Sequence, residues 1–190
     1  MFLNACSRKS YKATAKTLAR KRVKRIMDLW LQAALSVLNF LHLLATVTWI
    51  GGMANNILIT LPSTREVLEP AVSGRFIGAV TKRFRLVAYG SIITLVVVGV
   101  ALTLLNENFV GGPFDNVWSE LILAKHAVVT VMVLLAIYSF EVLAPKVAKL
   151  AAKGPSQELL KAQKLQLRLA STGFVLGLVV LLLIAIVLSL

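Results

Sequence analysis

The chain contains two histidines, His42 and His126, and each lies inside a long apolar block. An ionisable side chain within the hydrocarbon of a bilayer is costly, so it usually faces an interior site or a partner. A lone intramembrane histidine can be a hydrogen-bonded contact between helices, whereas two say more if they can meet. His42 lies about 12 residues beyond Trp30, where its block begins, and His126 about 8 beyond Trp118. At about 1.5 Å per helical residue those depths differ by roughly 6 Å, within the uncertainty of helix start and tilt. Blocks one and three run in the same direction in any four-span alternating topology, so the two rings can face each other at one level. Two opposed imidazoles on separate helices are the axial ligand set of a six-coordinate b-type haem. The same pair could hold copper, although a closed copper site generally has more ligands. Met53 falls about three turns beyond His42, and Met132 nearly two beyond His126, so neither is obviously at that level.

The neighbours of the histidines set out further expectations. His42, Thr46 and Trp49 share one helix face at i, i+4 and i+7, as do His126, Thr130 and Val133. Thr46 could hydrogen-bond to a ligand's surroundings and Trp49 could pack against a ring. The plain alternatives are a helix-bending threonine and an ordinary packed tryptophan. Lys125 adjoins His126 and would pair with a haem propionate, or else snorkel to the interface or pair with Glu120.

The elements that must position these residues are transmembrane helices. A bilayer core about 30 Å thick takes about 20 apolar helical residues to cross. Four blocks meet that length: about Trp30–Leu61, Leu86–Leu105, Trp118–Leu143 and Leu169–Leu190. Strand-length alternation, the mark of a membrane barrel, is absent. A chain that is 58% hydrophobic, with mean hydropathy +0.82, has too little polar surface to stay dispersed in water. The expected fold class is therefore all-α, an integral membrane four-helix bundle in a lipid bilayer. Small residues such as Gly51, Gly52, Gly90, Gly99, Gly173 and Gly177 mark faces where helices can approach closely. No internal repeat is apparent.

The formal charge of +13 sits at membrane borders. Lys and Arg cluster before Met27, in Arg65–Arg85 and in Lys146–Arg168, and Lys125 is the exception. This is the pattern of the positive-inside rule, and it lacks the interleaved aromatics of a nucleic-acid platform. No nucleic-acid partner is expected. The two basic connections are placed inside, and the Asn106–Asp115 connection, with Glu107 and Asp115 but no Lys or Arg, outside. That topology would also put the basic tail outside, a conflict resolved if Met27 is the natural start. The chain thus divides into a basic tail, residues 1–26, as a misassigned start or a targeting segment, and a four-helix domain, residues 27–190. Cys6 is the one cysteine, so it forms no intramolecular disulfide. A cysteine placed at Asn108 should react with an impermeant outside reagent while one at Gly154 is protected, and the reverse labelling would invert the orientation.

The stretch Leu41-His42-Leu43-Leu44-Ala45-Thr46-Val47-Thr48-Trp49-Ile50-Gly51-Gly52-Met53, followed by Pro62, resembles the first block of the copper-resistance protein D (CopD) family. Arg83-Phe84-Arg85 leading to Gly99 is similar to its second block, and Trp118 with Leu121-Ile122-Leu123-Ala124-Lys125-His126 to its third. The resemblance implies a four-helix unit in copper handling or membrane redox, with His42 a functional residue. Full-length CopD proteins carry additional spans. A more distant resemblance to HemJ-type protoporphyrinogen oxidases implies a paired histidine and lysine, which map to His42 and Lys125.

Together these readings give a membrane-embedded b-type haem protein in electron transfer, with His42 and His126 as iron ligands. Lys125, Thr46 and Trp49 complete the cofactor site. The alternatives are a copper-handling protein and a protoporphyrinogen oxidase. Its expected setting is multi-pass in a prokaryotic cell membrane, with a redox partner and a homo-oligomer or larger complex as further expectations.

Overall fold

In the computed structural model, residues 3–105, 117–187 and 189 are described, with side chains for these except 3–17, 19, 71 and 118. The Asn106–Asp115 connection and the side chains of Cys6 and Trp118 therefore lie outside what is described. Two compact units divide the chain, residues 1–41 and 42–190. The first unit is helical from Leu3 onward, and Ser36 and Asn39 in it donate to the Gln32 and Leu35 carbonyls one turn back.

All elements among the described residues are helical: α1 (Leu3–Ala54), a π-helical segment (Asn55–Thr60), α2 (Leu61–Val67), α3 (Pro70–Leu104), α4 (Val117–Ile137), a second π segment (Tyr138–Leu143), α5 (Ala144–Ala152) and α6 (Gln157–Val187). Four helical stretches are long and apolar enough to cross a membrane: Arg20–Val67, Val72–Leu104, Ser119–Ala152 and Gln157–Val187. The fold is the expected all-α four-helix membrane bundle. The helices run past the apolar blocks into the basic stretches, because helical backbone satisfies its own hydrogen bonds in lipid and headgroups alike while long cationic side chains reach water.

The core of the second unit gathers Trp49, Ile50 and Met53 of α1, Ala88 and Ile92 of α3, Met132 of α4, Phe140 of the second π segment and Val180 of α6. Around it large apolar side chains such as Leu43, Val97, Leu134 and Leu182 are exposed, as lipid-facing residues should be. Glycines bring the helices together. A Cβ at Gly52 would fall on the Phe84 ring of α3, and one at Gly177 would lie 3.3 Å from Ile50 and 3.4 Å from Met132. Gly52 faces Phe84 while His42, earlier on α1, faces Gly99, later on α3, so α1 and α3 run antiparallel. The Phe84 and Tyr89 rings meet Phe140 edge-on at 6.2 and 5.9 Å.

The two halves of this unit repeat one architecture, contrary to the sequence expectation. Both π segments hold six residues and are offset by 83 (138 against 55). Each is followed two residues later by a proline, Pro62 or Pro145. Proline lacks an N–H and its ring crowds the carbonyl a turn back, and a widened π turn just before it absorbs that disruption. Trp49 and Met132 are buried at the same offset. After a connection two residues longer in the second half, Pro70 matches Pro155, Arg83 matches Arg168 and buried Ala88 matches buried Gly173. Pro70 begins α3, whereas Gly154, at φ +99°, reverses the chain into α6, whose first turn Ser156 Oγ caps by accepting from Leu159 N at 3.2 Å.

Candidate metal centre

His42 projects from α1 onto the bare backbone at Gly99 of α3. A Cβ at Gly99 would stand 3.2 Å from His42 Cε1 and 3.6 Å from Nδ1, so the glycine is what gives the ring its seat. His42 Nδ1 is buried and has no hydrogen-bond partner among the described residues. A buried polar atom left unpaired costs about 1–3 kcal/mol, which marks it as a place where a ligand can bind. Lys125 and His126 of α4 lie within electrostatic range of this ring.

His126 is oriented by its own helix. Its Nδ1 lies 2.7 Å from the Ile122 carbonyl, which can only accept, so Nδ1 donates there and Nε2 is the nitrogen left for a ligand. That is the tautomer of a metal-ligating histidine whose other nitrogen donates to a carbonyl.

The remaining expected residues divide. Thr46 is buried, but its hydroxyl donates to the His42 carbonyl at 2.8 Å and so serves the helix, as Thr130 does toward the His126 carbonyl at 2.8 Å. Trp49 is 3% exposed in the core, one of the packing residues of the bundle. No ion pair joins Lys125 to Glu120 among the described residues; the pair that forms is Arg85 with Glu141, at 3.6 Å. Glu141 also accepts from the Tyr89 hydroxyl at 2.8 Å, so Arg85 is more than the interfacial anchor its position suggests. At the 83-residue offset the position matching His42 is Lys125, with His126 one residue further round α4. Met53 and Met132 sit against Gly173 and Gly177, on the core beyond the histidine level. No group of three or more His, Cys, Asp or Glu that could hold a metal occurs among the described residues. The donors at the histidine level are thus two imidazole nitrogens, with a cation beside them.

The family model for copper resistance protein D matches residues 78–187, more than half of the chain. The chain belongs to the CopD family. It is accordingly a multi-pass membrane protein of a copper-related family. The matched region contains Gly99, Lys125 and His126 and begins after His42, so the resemblance around His42-to-Gly52 stands beside the match and not within it. Neither the curated proteins nor the solved structures contain a match to the chain. Nothing found links this CopD protein to the HemJ-type oxidases.

Proposed function

We propose that this CopD-family chain handles copper within the membrane, taking Cu(I) as cargo at His42 with His126 as the second nitrogen donor. The observation that carries this reading is the buried Nδ1 of His42, without a hydrogen-bond partner among the described residues, in a bundle where His126 supplies a second imidazole. Imidazole suits copper, and a d10 ion accepts a low coordination number. A two-donor set is also what a transient cargo site needs, since further ligands would hold the ion too firmly to pass on. The family assignment favours copper over the b-type haem that the histidine spacing first suggests.

The haem reading keeps one observation of its own: the His126 tautomer is equally that of an axial ligand. On that reading a redox partner would be needed, and Lys125 would meet a propionate. Lys125 separates the two. An ammonium opposes a bound cation, and unit charges about 8 Å apart at an effective dielectric near 20 interact by about 2 kcal/mol. Lys125→Met should therefore tighten Cu(I) binding by roughly 30-fold on the copper reading, and weaken or leave haem occupancy unchanged on the other. The purified protein should contain copper and lack a Soret band. A Soret peak with sharp reduced α and β bands, at one haem per chain, would overturn the copper reading.

A further inference from the structure

Glu141, Val142, Pro145, Lys146, Lys149, Leu150 and Lys153 line an open groove where the third span leaves its apolar stretch. Lys146, Lys149 and Lys153 fall at i, i+3 and i+7, so α5 presents all three on one face. All three are exposed. The one carboxylate in the groove is already engaged by Arg85 and Tyr89, which leaves the lysines as a net cationic surface. Val142 and Pro145, exposed, and Leu150, half-buried, add an apolar wall beside them.

Two ordinary explanations fall short. Cations at a helix C-terminus complement its dipole, which accounts for Lys149 and Lys153 on α5. Lys146 lies two turns before that end, inside the continuous helix Ser119–Ala152, where the dipole gives it no role. A general excess of positive charge on inside connections explains how many lysines there are, not why they share one face. The repeated architecture provides an internal control: at the same offset of 83, α2 carries Ser63 and Glu66 where α5 carries Lys146 and Lys149. The scaffold therefore does not require this cationic face.

We infer that the α5 groove is a binding site for the phosphate-bearing headgroup of an anionic phospholipid, with the start of its acyl chains against Val142, Pro145 and Leu150. A cationic face abutting an apolar wall at the end of a membrane span matches such a lipid in both charge and position. A soluble anion would use the lysines but not the wall.

The test uses the full chain in nanodiscs of phosphatidylcholine with a minor share of phosphatidylglycerol, followed by native mass spectrometry of the released protein. Wild type should retain phosphatidylglycerol at least about tenfold above its share in the disc. K146Q/K149Q/K153Q should lose that enrichment, while K161Q/K164Q, which removes two charges from α6, should keep it. Size-exclusion profiles identical to wild type establish that the variants are folded, as exposed Lys→Gln changes should be. Equal enrichment in the triple variant, or equal loss in the α6 control, would overturn the site. So would retention of inorganic phosphate with no preference between the two lipids.

Discussion

His42→Ala should lower copper binding by at least about 100-fold, while Gly99→Ala weakens it less and leaves the ligand in place. The scale follows from removing one of two donors outright, given that even residues supporting a ligand are typically worth about 10–100-fold in affinity. Gly99→Ala tests the geometry without touching the chemistry. A methyl 3.2 Å from Cε1 is tighter than ordinary contact, so the ring must shift by a few tenths of an ångström. His126→Ala should resemble His42→Ala, because a two-nitrogen site keeps no spare donor and no larger His, Cys, Asp or Glu group occurs among the described residues. The chain has no third histidine to substitute. Titrating each purified variant with Cu(I) against a chromophoric competitor gives the affinities. Equal affinity in wild type and His42→Ala would remove α1 from the site altogether.

Gly52→Ala should destabilise the bundle by about 1–3 kcal/mol, the usual cost of overpacking a well-filled contact. Its neighbour supplies the control. A Cβ at Gly51 meets nothing within 4 Å, whereas one at Gly52 overlaps the Phe84 ring. Gly51→Ala should be neutral or gain up to about 1 kcal/mol from helix propensity. Phe84 cannot simply swing aside, since its ring packs edge-on against Phe140 of the second π segment. Phe84→Leu should consequently restore much of what Gly52→Ala loses, a coupling that a double-mutant cycle reads directly. Denaturant titration of the detergent-solubilised protein measures wild type, the three single variants and the double variant. Similar losses in Gly51→Ala and Gly52→Ala would show that helix backbone effects, not the α1–α3 contact, set the cost.

The four spans were legible because a bilayer imposes a length and an apolar composition that few soluble segments meet, and the blocks at Trp30, Leu86, Trp118 and Leu169 meet both. The histidines were legible for the same reason, since an ionisable residue stands out against hydrocarbon. What they bind was less so. Spacing along two helices gives a common depth but not the direction in which each ring points, and the Gly99 seat of His42 and the Ile122 anchor of His126 appear only in three dimensions. Thr46 shared a face with His42, yet its hydroxyl turned to the nearest carbonyl, the local bond open to any helical threonine.

The repeat escaped the sequence because apolar residues interchange freely in lipid. Trp49 against Met132 or Ala88 against Gly173 leaves no trace of identity, though each pair is buried alike. The prolines and the π segments before them persist because backbone chemistry, unlike apolar packing, is not interchangeable. Glu141 was hidden for a related reason: only the fold brings α3 up to the second π segment, where Arg85 and Tyr89 reach it.

X-ray absorption at the copper edge of the Cu(I)-loaded, detergent-solubilised protein tests the proposed centre most directly. The predicted spectrum has a first shell of imidazole nitrogen without sulfur, and His42→Ala cuts its outer-shell imidazole scattering by about half, leaving that of His126. A sulfur-containing shell, or a spectrum unchanged in His42→Ala, would place the copper elsewhere and contradict the account.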